Sequence, residues 1–328
     1  MARILIVGSG VVGQATGKGF AKKGHTVNYV DIDVRTIERL RAEGSYATLP
    51  AEADWSAVEV VMLAVPTPTV DSRVVLDHIE AAARDIGRGL AQTERFVVVV
   101  VRSTVPPSTT EQHLTFILEQ ASGKRAGVDF GVAMNPEFLR QVSAAQDFAR
   151  PWITVLGASD RRTAACLDAL YRPFGALIVH CTPTEAEMIK YVNNVYNAVK
   201  ISYFNEVHSI CQQLEIDSQL VGAAVARSAE SMWNALYGTR GGVPYGGACL
   251  PKDTEAFLSF VRERGMEHLM LEATIAVNQQ LAATVPAAAS PDQIAEALEA
   301  VRLPDEAEAE QQELVLEVGA KEPVVVYR

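Results

Sequence analysis

The octapeptide Gly246-Gly247-Ala248-Cys249-Leu250-Pro251-Lys252-Asp253 puts a thiol after two glycines and just before a lysine and a carboxylate. The thiolate is the nucleophilic form of cysteine, and a nearby cation such as Lys252 stabilises it. Gly246 and Gly247 let backbone or ligand approach closely. A thiol set this way suits covalent attack on an electrophilic carbon. A lone cysteine is more often a small buried residue in a turn. The Gly-Gly before Cys249 and the Pro-Lys-Asp after it favour chemistry over packing.

A second signature lies at the other end of the chain. Gly8-Ser9-Gly10-Val11-Val12-Gly13 follows an apolar run and opens a helical pattern. In such a fingerprint the first glycine allows a tight turn. The second lets the backbone approach a pyrophosphate, and the third lets helix pack on strand. The pyrophosphate then meets the free N–H groups of a helix N-terminus, here at Val11 and Val12. Asp31 ends the next strand, where a carboxylate accepts from ribose hydroxyls. It also repels a 2′-phosphate, so the fingerprint favours NAD over NADP. Asp33 and Arg35 either flank the adenosine or are solvated charges.

Three further groups stand out. Ser103-Thr104-Val105-Pro106 directly follows a strand, and Asn135-Pro136-Glu137-Phe138-Leu139-Arg140 follows another. Lys190 and Asn194 stand four apart on a long helical run, so they share a face. Each has a plainer reading. Lys190 and Asn194 would make an ordinary exposed pair, Glu137 a local cap, and Thr104 a strand end. Asp253 would cap the helix that starts near Thr254.

These residues need a scaffold, and the pattern supplies one. Residues 4–7, 26–30, 58–65, 96–101 and 130–134 read as buried strands, with helical patterns such as 12–23 and 34–43 between them. This alternation predicts an α/β fold, a doubly wound Rossmann sheet, mostly parallel, with helices on both faces. Residues 153–156 and 177–180 read as further strands. From Glu185 the pattern is helical: 185–214, more through Val225, then a glycine-rich stretch with the cysteine, then 254–280. The expected domains are 1–183 for the cofactor, 184–280 as an all-helical domain, and a tail of 281–328 with one helix at 291–301 and one strand at 323–327.

Composition narrows the class. The chain has 328 residues, 48% hydrophobic and 21% charged, which suits a globular protein with a sizeable core. A net charge of -11 argues against nucleic acid as a partner. The four cysteines, Cys166, Cys181, Cys211 and Cys249, match no disulfide or metal framework, so a reducing cytoplasm and no metal are expected. The apolar start runs into the fingerprint and reads as a strand, not a signal sequence. Residues 97–101 are too few to span a membrane.

With these motifs in place, the chain resembles the UDP-glucose/GDP-mannose dehydrogenase family over roughly residues 1–280. The matching pieces are 8–13, Val65-Pro66-Thr67-Pro68, 103–107, 135–140, 186–194, Lys200-Ile201, Asn205-Glu206 and 246–253, all in family order. The resemblance implies that a primary alcohol of a nucleotide sugar or related hexosyl substrate is oxidised to a carboxylate, giving a uronic acid, with two NAD used in turn. An aldehyde forms first, Cys249 takes it up as a thiohemiacetal, and a thioester follows that water hydrolyses.

The resemblance also assigns roles. Lys190 and Asn194 steady the oxyanion, Asp253 is general base or orients water, and Glu137 and Thr104 assist hydrolysis. Pro66, Thr67, Ser103 and Thr104 lie near the nicotinamide. Phe138, Leu139, Arg140, Tyr245, Gly246, Gly247 and Lys252 join Lys190 and Asn194 around the substrate. A homodimer through the helical domain is expected.

The chain departs from the family pattern in places. Gln141 stands where the family has glutamate, and an amide cannot take a proton from water. Ile153 replaces an arginine, and Ser108 a glycine. Trp233 falls where an arginine reaches the neighbouring subunit's sugar, with Arg227 and Arg240 close by. The family's second Rossmann-like domain has no signal after Gln280. Three other readings stay open: a two-electron 3-hydroxyacid-type dehydrogenase, an oxidising enzyme for a glucosyl nucleoside or small glycoside, and a non-catalytic NAD-binding remnant. Retention of Lys190, Asn194, Cys249 and Asp253 opposes the last.

Overall fold

The computed structural model describes residues 1–140, 142–239, 241–284, 314–316 and 324–327. Gln141, Arg240 and the helix expected at 291–301 lie outside the described residues. Strands and helices alternate from the start: β1 (Arg3–Val7), α1 (Val11–Lys22), β2 (Thr26–Val30), α2 (Val34–Ala42), β3 (Tyr46–Thr48) and β4 (Val60–Leu63). A small hairpin, β5 (Thr69–Val70) and β6 (Arg73–Val74), precedes α3 (Asp77–Leu90) and β7 (Val97–Val101). Then come α4 (Thr115–Ser122), β8 (Phe130–Met134), α5 (Ala144–Ala149), β9 (Ile153–Ala158), α6 (Arg161–Tyr171) and β10 (Leu177–Cys181).

The helical part follows as α7 (Pro183–Gln213), α8 (Ser218–Ser228), α9 (Glu230–Trp233), α10 (Leu250–Glu263) and α11 (Leu269–Thr284). Two terminal strands, β11 (Leu314–Leu316) and β12 (Val324–Tyr327), complete the described elements. The strand expected at 323–327 is β12; its partner β11 was not expected.

The main sheet runs β3-β2-β1-β4-β7-β8-β9-β10-β12-β11. All neighbours from β3 to β8 are parallel. β9 is antiparallel to β8 and overlaps only its tip, with Ala133 opposite Ala158 and Met134 opposite Gly157. The spatial order of strands reverses at β1 and β4. In open α/β sheets, ligands bind beyond the carboxyl ends of strands at that crossover.

β7 explains why its sequence is five valines. Val97, Val99 and Val101 join one buried cluster with Ile79, Ile86 and Leu118 of α3 and α4. Val98 and Val100 join the other, with Phe20, Ile37, Leu40 and Leu167 of α1, α2 and α6. Successive side chains point to opposite faces, so a strand covered on both sides must be apolar at every position.

The chain forms two compact units. The first holds Met1–Asn193 and the terminal strands, and the second begins at Asn194, within α7. The start of α7 is encoded by Thr182-Pro183-Thr184-Glu185. The Glu185 carboxylate accepts from the Thr182 amide at 2.7 Å, and the Thr182 hydroxyl accepts from the Glu185 amide at 3.2 Å. This reciprocal cap, with proline at the first helical position, fixes the N-terminus.

In the second unit, Ile210, Leu258, Val261, Met266 and Ile275 form the core. The helix expected over 254–280 is two helices. Gly265 turns the chain at φ +63°, and the Glu206 carboxylate accepts from the amides of Met270 and Leu271, capping α11. Among the described residues, no helix is long and apolar enough to cross a membrane.

Candidate active site

The glycine fingerprint lies between β1 and α1. Gly8 sits at φ +91°, a backbone conformation that side chains resist, and a Cβ there would lie 2.6 Å from the Ala64 carbonyl oxygen. A Cβ on Gly13 would lie 1.9 Å from the Gly8 carbonyl oxygen, so helix and strand meet there with no side chain between them. At Gly10, by contrast, a Cβ would meet no atom within 4 Å. The space over it is open to a ligand.

A cleft of about 1100 Å³ opens at this point, lined by Gly8, Gly10, Val11, Val12, Asp31 and Pro66 among others. The Asp31 carboxylate accepts from the Ser9 amide at 2.7 Å and the Asp33 amide at 2.9 Å. It is thereby held at the end of β2, facing the fingerprint. The Ser9 hydroxyl is buried and makes no hydrogen bond, which leaves a donor beside the N-terminus of α1. Open space over Gly10, an uncommitted hydroxyl and an oriented carboxylate fit a dinucleotide.

Asp33 caps α2, accepting from the Arg35 amide at 3.1 Å and the Thr36 hydroxyl at 2.8 Å. The Thr36 hydroxyl, foremost, holds the Asp33 carboxyl below the usual range. Thr36 and Arg39 line the cleft, whereas Arg35 does not. Helix periodicity places Thr36 and Arg39 three apart, the one signal that would have found them. Thr67 and Ser103 hydroxyls donate to the carbonyls of Thr104 (2.7 Å) and Val65 (2.6 Å), stitching the exits of β4 and β7 together.

The exit of β8 carries Asn135, Glu137, Phe138, Leu139 and Arg140. Asn135 is buried, takes Arg102 and Tyr171 on its side-chain oxygen, and donates to the Val155 carbonyl at 2.7 Å. Beyond it, Glu137 meets Lys190 of α7. The Lys190 Nζ donates to the Glu137 carbonyl at 2.5 Å and to its carboxylate at 2.9 Å. Side-chain exposure is 7% for Lys190 and 16% for Glu137. Removing one member would strand the other in a poorly solvated place, a loss of about 3–5 kcal/mol for fully buried pairs. The Lys190 ammonium also lies 5.6 Å from the Phe138 ring centroid.

Two acids that the sequence did not single out shape this region. The Arg140 guanidinium forms a fork with Asp147, with bonds of 3.1 and 2.6 Å, and the Arg140 amide adds another at 2.9 Å. The Arg140 side chain, foremost, pulls the Asp147 carboxyl far below its usual range. Arg140, expected at the substrate, is thus committed to Asp147 in this structure. Glu187 is fully buried and accepts from the Ser108 and Thr110 amides. Burial pushes the Glu187 carboxyl up, while Thr110 and Ser108 pull it down. Ser108 has φ +75°, the left-handed conformation that suits the glycine for which it stands. Ile153 lines a small cavity beside Arg102 and Phe138.

In the second unit, Cys249 is exposed and precedes the first turn of α10. The Asp253 amide donates to the Cys249 carbonyl at 2.8 Å, so Asp253 lies within that turn rather than capping it. The Asp253 carboxylate is paired with Lys252 at 2.5 Å. Gly247 has φ +78°, which favours glycine at that place in the loop. Tyr245 and Asn278 exchange two hydrogen bonds, at 2.7 and 3.1 Å, anchoring the loop to α11. No sequence signal marked Asn278. Asn194, on α7, and Trp233, at the end of α9, are both exposed. Burial pushes the Cys181 thiol up to about 12, and Cys211 is buried.

Comparison with known proteins gives the family. The family model for the UDP-glucose/GDP-mannose dehydrogenase NAD-binding domain matches residues 2–54 and 46–175. The model for the central domain of the same family matches residues 184–280. GDP-mannose 6-dehydrogenase of Pseudomonas putida is 37% identical over 275 residues, covering 77% of this chain and 63% of that enzyme. UDP-glucose 6-dehydrogenase of Haloferax volcanii is 36% identical over 297 residues, covering 83% and 68%. Among solved structures, a ternary complex of GDP-mannose dehydrogenase from Pseudomonas aeruginosa superposes with a TM-score of 0.80 at 32% identity, covering 85% of this chain and 69% of that one. The chain thus spans less than two thirds of the Pseudomonas putida relative's length.

Proposed function

The chain belongs to the UDP-glucose/GDP-mannose dehydrogenase family, and on that premise we propose that it oxidises the primary alcohol of a nucleotide sugar to a carboxylate. Its first unit carries the family's NAD-binding domain. The observation that carries the reading is the pairing of a wide cleft at the glycine fingerprint with a buried lysine–glutamate pair at the exit of β8.

NAD, when bound, supplies the hydride acceptor for both oxidation stages. Gly10 and the α1 N-terminus receive its pyrophosphate, and Asp31 receives the adenosine ribose. Cys249 is the nucleophile. Its sulfur adds to the aldehyde carbon as the carbonyl oxygen takes up negative charge, which Lys190 and Asn194 stabilise by donation. After the second oxidation the sulfur holds a thioester. Water adds to that carbonyl carbon, the carbon–sulfur bond breaks, and the thiolate is regenerated. Glu137 and Asp253 take the proton that water gives up, with Thr104 assisting. Lys252, Phe138, Leu139, Tyr245, Gly246 and Gly247 contact the sugar.

The four unpaired cysteines support a reducing, cytoplasmic setting. Val195, Tyr196, Val199 and Tyr203 of α7 are exposed apolar side chains at helical spacing. They support pairing of two copies through the helical unit, which sedimentation at low concentration tests.

The main test counts NADH formed from GDP-mannose, UDP-glucose and related sugars, beside glucosyl nucleosides. Two NADH per sugar, with acid as product, is expected. Cys249→Ser should stop short of the acid. One NADH per substrate, or full acid formation by Cys249→Ser, would overturn the reading.

A further inference from the structure

We propose that Glu187 is a positioning residue that sets the axial register of α7 on the sheet and thereby places the Lys190 ammonium. The proposal rests on the role given to Lys190 above. α7 is fastened to the first unit at three levels. At its start, a Cβ on Gly157 of β9 would lie 2.8 Å from both the Ala186 Cβ and the Thr182 carbonyl oxygen. There the helix touches the strand almost backbone to backbone.

One residue on, the Glu187 carboxylate takes the Ser108 amide on one oxygen at 2.6 Å and the Thr110 amide on the other at 2.7 Å. Those amides belong to the segment that leaves β7 and carries Thr104. Three residues further, Lys190 reaches Glu137 on the segment that leaves β8. Glu187 therefore ties the lysine's helix to the segment beyond Thr104, as Lys190 itself ties it to the β8 exit.

The chemistry of the clamp needs a carboxylate. Glu187 has no solvent exposure, and burial of a charged group is costly unless its oxygens are bonded. Both of its oxygens are. A glutamine of the same shape offers one acceptor oxygen, so one of the two amides would face an NH2 group. A shift of α7 by a fraction of its roughly 1.5 Å rise per residue would spoil the Lys190–Glu137 geometry. Misplacement on the order of 1 Å can cost about a hundredfold in rate.

The test compares wild type with Glu187→Gln and Glu187→Asp on a sugar nucleotide the wild type oxidises. Glu187→Gln should lower kcat about tenfold or more while leaving the KM for NAD unchanged. Glu187→Asp, which keeps the charge but withdraws it by one methylene, should fall between. If Glu187→Gln does not fold, Glu187→Asp carries the same readouts.

A second readout needs no substrate. Limiting acetic anhydride should acetylate Lys190 several-fold faster in the variant than in wild type, with exposed Lys22 as the internal standard. Unchanged kcat and unchanged Lys190 acetylation, with only a lower Tm, would overturn the proposal. Wild type that oxidises no sugar nucleotide would sink the functional reading instead, and Lys190 acetylation would still decide for or against Glu187.

Discussion

The Ser9 amide donates to the Asp31 carboxylate over 2.7 Å, so the acid that closes β2 also holds the glycine loop in shape. In the proposed NAD site, substitutions at Asp31 should therefore act on the cofactor twice. Asp31→Asn keeps an acceptor for Ser9 but gives up the charge, and should weaken NAD binding by about tenfold, or roughly 1.4 kcal/mol. Asp31→Ala should weaken it further, because Ser9 loses its acceptor too. Calorimetric titration with NAD checks both, and equal affinities for the two variants would refute the double role.

Lys190 and Glu137 should be energetically coupled. Each alanine variant strands one partner near the protein interior and should lower stability by more than an exposed pair would. The double alanine variant should be less destabilised than the sum of the singles, with a coupling of about 1–3 kcal/mol. Urea unfolding of the four proteins measures it. Additive losses would mean the contact contributes nothing.

Thiol labelling should single out Cys249. It is the exposed cysteine, while Cys181 is held near 12, against 9.0 for an ordinary thiol, which cuts its thiolate population on the order of a thousandfold. Brief iodoacetamide treatment of native protein, followed by peptide mass spectrometry, should find Cys249 modified and Cys181 untouched.

Ser108 should tolerate glycine, and gain by it. With φ at +75°, a side chain there carries strain that glycine avoids, so Ser108→Gly should stabilise the protein by about 0.5–1 kcal/mol. A thermal melt that moves downward instead would show the serine side chain to be worth more than the strain.

Asp147 gives the stability curve an acid limb. Its folded-state carboxyl is depressed by Arg140, so its contribution is complete above the ordinary carboxylate value of 3.8 and is lost as pH falls toward its folded value. Asp147→Asn should therefore be less stable at neutral pH and lose less on acidification through that window. Chemical denaturation at a series of pH values reads the difference in slope.

Much of this was legible because the determinants are local. The fingerprint and the five-valine strand each carry their structure in adjacent residues. β3 escaped notice because Tyr46-Ala47-Thr48 is too short to show alternation. The division of 254–280 into α10 and α11 turns on Glu206, some sixty positions away, which no local pattern encodes. Arg140 was placed at the substrate by the resemblance, and its partner Asp147 is found only once the loop closes. Glu187 lies in a motif recognised for Lys190 and Asn194, and its burial against Ser108 depends on the strand order. Contacts between distant stretches, not propensities, make up the unseen part of the site.

The Tyr245–Asn278 exchange has a practical side. An expression boundary drawn upstream of Asn278 would remove the anchor of the loop before Cys249. A protein cut there would leave that loop unheld, and inertness in it would say nothing about what the intact chain can catalyse.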